Sequence, residues 1–141
     1  MKTRLALVAC FACLVGFAAD ELQQSVGWTY NKNGRKRSLA AVTAKYDISG
    51  AGIIENVQTI ATNGTGEALI LGDVATPGWS YFKNLDGTNY VEIGCWDAHS
   101  NLVVFLKLNA GEAMPAFLGC TAPRARANTT TVKLDYVIAD R

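Results

Sequence analysis

A single histidine, His99, is all the imidazole that 141 residues contain. That removes most zinc sites, which draw on several His or Cys ligands, and most Ser–His and Cys–His pairs, which need an imidazole base. No Gly-x-Ser-x-Gly turn occurs, and no glycine-rich phosphate loop opens a helical pattern. Charge is scarce and balanced, with 13 Lys+Arg against 12 Asp+Glu, which excludes a nucleic-acid binder acting through overall charge. The same low charge, beside 50% hydrophobic residues, excludes general disorder. The carboxylates fall mainly at turn edges (Asp47, Asp73, Asp86, Asp97, Glu112), where such side chains serve turns. The expectation is a protein without enzymatic activity, cofactor or metal.

The N-terminus is set apart first. Met1-Lys2-Thr3-Arg4 is positive, residues 5–15 are apolar, and Gly16-Phe17-Ala18-Ala19 leads to Asp20-Glu21. This order reads as a secretory signal peptide over residues 1–19, whose apolar part from Leu5 to Ala19 is short for a helix that spans a bilayer at about 1.5 Å per residue. Uncleaved, it is the chain's one expected route to a membrane. Without residues 1–19 the chain carries 11 basic and 12 acidic residues, a net charge of −1, and keeps two cysteines, Cys95 and Cys120. An oxidising compartment leaves two readings open for them: a disulfide, or two small buried hydrophobes.

Residues 20–141 are expected to form one domain. Short runs rich in Val, Ile, Thr and aromatics alternate with turn signals, with no run at helical spacing. Strands are expected over 22–30, 37–47, 53–61, 67–71, 79–84, 90–96, 102–108, 113–118 and 130–138. Asn33-Gly34 makes the first hairpin turn, since both residues tolerate positive φ. The nearly continuous apolar run 102–108 reads as a central strand, and 119–128, with Pro123 and two arginines, as a loop. Nine or so short strands with frequent turns give an all-β fold, an antiparallel β-sandwich of jelly-roll type with about 8–10 strands. The inner face is expected to hold Val57, Ile60, Leu69, Leu71, Phe82, Val91, Ile93, Val104, Leu106, Leu108, Leu134 and Val137 or Ile138, and helix is expected only within residues 1–19.

A few residues stand out as partner contacts. Arg35, Lys36 and Arg37 form the one basic run, at the first hairpin turn, and Arg124 and Arg126 are placed to join it in space. Trp28 and Trp79 sit in strand patterns that call for packing, whereas Trp96 borders a loop and suits exposure and sugar stacking. His99, with Asp97 and Cys95 nearby, matches no zinc spacing and reads as a solvated hairpin tip.

Four stretches resemble a family of small phage virion structural proteins. They are Ile54-Glu55-Asn56-Val57-Gln58-Thr59-Ile60, residues 71–94, Phe105-Leu106-Lys107-Leu108-Asn109-Ala110-Gly111-Glu112, and Val132-Lys133-Leu134-Asp135-Tyr136-Val137-Ile138. The second is the most specific, through Tyr81-Phe82-Lys83-Asn84-Leu85-Asp86-Gly87-Thr88-Asn89-Tyr90-Val91-Glu92-Ile93-Gly94. The resemblance implies a virion β-sandwich, a capsid decoration or a head- or tail-associated subunit, and carries over no catalytic residue. Such proteins normally start near the position of Asp20, so the N-terminal segment is a departure. The expected partners are further copies of the chain, a trimer foremost, and other virion proteins, with loops 97–101 and 119–128 as contact points. The expected location is the virion, or the exported or periplasmic space if the signal operates. The alternative is an exported β-sandwich binding module that contacts glycans or surfaces through loop residues.

Overall fold

The computed structural model describes residues 22–141, and every strand pairing within them is antiparallel. The signal-like segment 1–19, and the helix expected there, lie outside the described residues.

The chain divides into two compact units, with the boundary at Asp47/Ile48. In the first, β1 (Leu22–Lys32) and β2 (Arg35–Tyr46) pair around Asn33 and Gly34, both at positive φ, as the sequence requires of a two-residue turn. One face carries Val26 opposite Val42, Trp28 opposite Leu39, and Tyr30 opposite Arg37. The other carries small and polar side chains, including hydrogen-bonded Ser25–Thr43 and Thr29–Ser38 pairs. A register shift between Val26 and Trp28 sets Ala40 and Ala41 against Gly27, so the apolar alternation resumes on the same face.

The second unit is the sandwich. Its strands are β3 (Ile53–Ile60), β4 (Glu67–Ala68), β5 (Pro77–Asn84), β6 (Val91–Trp96), β7 (Leu102–Leu108), β8 (Ala113–Phe117), β9 (Pro123–Ala127) and β10 (Val132–Asp140). They form two sheets, ordered β3-β10-β5-β8 and β4-β9-β6-β7. The pairs nest: β3 with β10, β4 with β9, β5 with β8, and β6 with β7, as in one long ribbon rolled on itself. Both sheets feed one core, from Phe82, Leu134, Tyr136 and Ile138 on one side to Val91, Ile93, Leu106 and Leu108 on the other.

Several expectations need correction. Residues 20–141 do not form one sandwich, because 22–47 make a two-stranded sheet of their own. Residues 119–128 are not all loop. Pro123, Ala125 and Ala127 point inward while Arg124 and Arg126 point outward, a period-2 pattern hidden by weak strand formers; Pro is tolerated because it opens the strand. The apolar run of β7 is not central: β7 ends its sheet, and Val103 and Phe105 are exposed. Val57 is 54% exposed, because β3 turns Ile54, Asn56, Gln58 and Ile60 inward instead. Leu71, Val104 and Val137 are half-buried, whereas Ile138 is fully buried.

The buried polar residues of β3 have a purpose. The Tyr136 hydroxyl accepts hydrogen bonds from Asn56 Nδ2 and the Ile70 amide, and lies 3.0 Å from both Gln58 Oε1 and the Ile70 carbonyl, either of which takes its proton. Gln58 Nε2 donates to the Ala68 carbonyl at 2.9 Å. This network fastens segment 67–71 to the first sheet, and burial pushes the Tyr136 pKa up, keeping the hydroxyl a donor. Tyr136→Phe takes this partner from Asn56 Nδ2 and the Ile70 carbonyl, while the Ile70 amide keeps Gln58 Oε1 at 3.1 Å, and is expected to lower stability by about 1–3 kcal/mol, read from urea unfolding.

Asp140 closes the other end of β10. Its Oδ1 accepts the Thr76 amide and its Oδ2 the Gly52 amide, each at 2.8 Å. No side chain fits at Gly52, where a Cβ would lie 2.6 Å from the Asp73 carbonyl oxygen. The amides of Thr76, Gly52 and Ala75 hold the Asp140 carboxyl below its ordinary 3.8 against the opposing effect of burial. A depressed folded pKa gives stability that is present above the unfolded value and is lost as pH falls through the folded one. The melting temperature is therefore expected to fall steeply below about pH 4, and Asp140→Asn, which aims a donor at a donor, to flatten that slope.

Candidate functional site

The outer face of the second sheet gathers three of the residues singled out from the sequence. With Ile93 and Ala125 buried, their strand neighbours Glu92, Arg124 and Arg126 turn outward, beside Trp96 at the end of β6. Arg126 Nε contacts Glu92 Oε2 at 2.6 Å, directly across the strand pair. The Arg124 guanidinium lies 3.8 Å above the Trp96 ring and donates from Nε and Nη2 to the Gly66 carbonyl at 3.0 and 2.7 Å. Arg126 Nη1 reaches the Gly64 carbonyl at 3.0 Å, and Trp96 Nε1 the Thr65 carbonyl at 2.8 Å.

All three side chains therefore converge on one turn, Asn63-Gly64-Thr65-Gly66. The turn is preformed: Gly66 sits at positive φ, its amide bonds the Asn63 carbonyl, and Asn63 Oδ1 accepts from Thr65. The result is a rigid platform on which an indole, 44% exposed, carries a cation on one face. Held by carbonyl acceptors, the guanidinium groups act first as clamps. What the cluster offers a partner is a fixed aromatic surface bordered by positive charge, suited to stacking and to hydrogen bonding with hydroxyl-rich or anionic groups.

His99 stands apart from this cluster, on the tip between β6 and β7. Asp97 Oδ1 accepts the His99 and Asn101 amides, each at 2.8 Å, Oδ2 takes Asn101 Nδ2, and Ser100 is at positive φ. These bonds, from Asn101 foremost, hold the Asp97 carboxyl below its ordinary value. Asp97 is thus the keystone of the loop rather than a free ligand. Among the described residues no group of three or more His, Cys, Asp or Glu could hold a metal.

Arg35, Lys36 and Arg37 lie exposed on β2 at the hairpin tip, in the first unit, while Arg124 and Arg126 belong to the second. Of the tryptophans read as packing residues, Trp79 meets the Phe117 ring edge-on with centroids 4.9 Å apart, but Trp28 is half exposed and stacks on Tyr30. Of the two readings left open for the cysteines, the structure has the disulfide. Cys95 on β6 is bonded to Cys120 in the connection between β8 and β9, their Cα atoms 6.2 Å apart, so the bond ties that connection to β6.

Sequence reasoning missed the polar end of the sandwich as a unit. Buried Asn84 donates through Nδ2 to the carbonyls of Asn89, Leu108 and Asn109, and its Oδ1 accepts the Asp86 amide. Asp86 Oδ1 accepts the Thr88 and Asn89 amides, Asn89 reaches Thr129 and Thr130, and Glu112 Oε2 takes the Asn109 amide. The turn role of Asp86 was visible in the sequence; the joining of three loops through Asn84 was not. Compared with protein-family models, with curated proteins and with solved structures, the chain matches none.

Proposed function

We propose that the protein is a non-enzymatic structural subunit of a phage virion, a capsid decoration or a head- or tail-associated component, that works by assembling with copies of itself and with other virion proteins. The observation that carries this reading is the amount of large apolar surface on a rigid scaffold. Trp28, Leu39, Val42, Ile53, Val57, Phe105 and Phe117 are all exposed, on strands of antiparallel sheets. Exposed apolar patches of this kind mark surfaces to be covered by partners. The nested strand pairing supports the jelly-roll form of the sandwich, and the acidic side chains Asp86, Asp97, Glu112 and Asp140 serve as loop clamps, a role that suits a scaffold. A trimer is the favoured assembly.

The test is direct. Particles purified from the phage that encodes the chain are analysed by mass spectrometry and electron microscopy. The chain at a symmetric copy number is the expected result; its absence from particles overturns the reading. The Trp96–Arg124 platform favours a second reading, an exported module that binds glycans. Glycan-array binding lost on Trp96→Ala, by a chain recovered outside the cell, would replace the first reading with the second.

A further inference from the structure

We propose that Asn63-Gly64 is a self-modifying site: the Asn63 side chain deamidates through a cyclic imide, with water as the one co-reactant, and the conversion rebuilds the turn on which Trp96, Arg124 and Arg126 rest. The inference goes beyond the virion reading and is independent of it, since it needs neither assembly nor export.

The chemistry uses only groups of the turn and water. The Gly64 amide gives its proton to hydroxide, and its nitrogen attacks Cγ of Asn63 while the carbonyl electron pair moves onto Oδ1. The pair returns, and Nδ2 takes a proton from water and leaves as ammonia, which restores the hydroxide. Cγ is now joined to the Gly64 nitrogen in a cyclic imide. Water adds to one of the imide carbonyls and a C–N bond breaks. Breaking the bond at Cγ gives aspartate at position 63. Breaking the main-chain bond gives isoaspartate, whose backbone runs through Cγ and is longer by a methylene. The balance is water in and ammonia out, with nothing oxidised or reduced.

The structure prepares each participant. The nucleophile is unoccupied: the turn is closed by the Gly66 amide on the Asn63 carbonyl at 2.9 Å, and the Gly64 amide has no hydrogen-bond partner among the described residues. It is also unobstructed, since a Cβ at Gly64 would meet nothing within 4 Å. The electrophile is polarised, because Asn63 Oδ1 accepts the Thr65 amide at 3.2 Å and the Thr65 hydroxyl at 3.0 Å. Donors already aimed at the oxygen that becomes an oxyanion stabilise the transition state with little rearrangement. The departing Nδ2 has no partner among the described residues, and Asn63 is exposed to water.

The chain carries its own control in Asn33-Gly34, the same dipeptide. Asn33 is held at φ 52° and Gly34 at φ 75° between paired strands, with Lys32 opposite Arg35. Among the described residues no donor reaches the Asn33 side chain, so its carbonyl is not polarised in this way. Asn63 is therefore the faster of the two.

Conversion reaches the platform directly. The carbonyls of Gly64, Thr65 and Gly66 accept from Arg126 Nη1, Trp96 Nε1 and Arg124 Nη2 at 3.0, 2.8 and 2.7 Å. The longer backbone of isoaspartate shifts these acceptors away from their donors. Either product sets a carboxylate one residue from the Arg126 contact.

The experiment incubates the full chain, as recovered from expression, at physiological temperature and mildly alkaline pH. Peptide mapping by mass spectrometry follows conversion at positions 63 and 33 in the same sample. Asn63 is expected to convert at least about fivefold faster than Asn33. Thr65→Val keeps the amide donor and the side-chain shape but removes the hydroxyl. In a buried oxyanion hole such a loss costs about a hundredfold or more; on this exposed turn, where water competes, about threefold to tenfold is expected. Gly64→Ala, for which there is room, should slow position 63 by crowding the attacking nitrogen and leave position 33 unchanged. In concentrated urea, which removes the turn, the rates at the two positions should converge. The Trp96 indole N–H signal in nuclear magnetic resonance, assigned with Trp96→Phe, should shift as isoaspartate accumulates.

An Asn33 that converts as fast as Asn63 in the folded chain overturns the inference. So does Thr65→Val at the parent's rate, or a difference between the two positions that persists in urea and so belongs to the sequence alone. An indole signal that stays in place while position 63 converts overturns the link to the platform.

Discussion

Replacing both Cys95 and Cys120 by alanine is expected to destabilise the sandwich by about 3 kcal/mol, because the bond closes a loop of 25 residues that the unfolded chain must otherwise explore. One sulfur lies on β6 and the other in the connection from β8 to β9, and the loop between them includes β7 and β8, each at the end of its sheet. Those end strands are paired along one side only. They are the elements that gain most when an alternative to unfolding is removed. For a sandwich of this length the loss corresponds to a fall in melting temperature on the order of 15 °C. Thermal melts of the oxidised protein with and without reductant measure it, and the alanine pair should reproduce the reduced curve. A difference under about 1 kcal/mol would mean that turn chemistry at 97–101 and 109–112 already confines the loop as tightly as the bond does.

Asn84→Ala is expected to be comparably severe, at about 3 kcal/mol, although it deletes only a small polar side chain. The reason is where the partners are. Asn84 sits at the buried end of β5 and its amide nitrogen faces the carbonyls of Asn89, Leu108 and Asn109, while its oxygen caps the Asp86 amide. Alanine leaves these groups without the bonds that replaced water, and each stranded buried group costs about 1–3 kcal/mol. Asn84→Asp should be at least as damaging at neutral pH, because a carboxylate cannot donate to three carbonyls. Urea unfolding gives the loss in stability. Limited proteolysis should then show new cleavage in 85–90 and 109–112, the loops that Asn84 joins. Uncut loops with unchanged stability would show that backbone pairing alone holds this end.

Both results bear on the segment from Tyr81 to Gly94. That segment contains Asn84, Asp86 and Asn89 and ends where β6 leads to Cys95. In this chain the stretch reads as scaffold: it fixes one end of the sandwich and binds three loops into one piece.

The sequence by itself determined whatever is local. Alternation with period 2 placed most strands, including the shared face of Leu22, Gln24, Val26, Trp28 and Tyr30, because successive side chains on a strand must point to opposite sides. Asn33-Gly34 fixed the hairpin turn, and the acidic and amide residues at 84–89 and 97–101 marked loops that fold onto their own amides. Tertiary structure decided what depends on residues far apart in the chain. An apolar run is central or terminal according to whether another strand reaches its free edge, and among the described residues none does at β7. Val57 or Gln58 points inward according to what waits on the other side; the Tyr136 hydroxyl and the Ala68 carbonyl supply Gln58 with partners, so the polar residue is buried and the valine exposed. The segment 123–127 becomes a strand because β4 and β6 pair with it on either side, overriding the weak preference of alanine for sheets. Trp96 and Arg124 meet for the same reason: 28 residues apart in sequence, they are neighbours only once β6 and β9 lie side by side and the 63–66 turn offers its carbonyls to both.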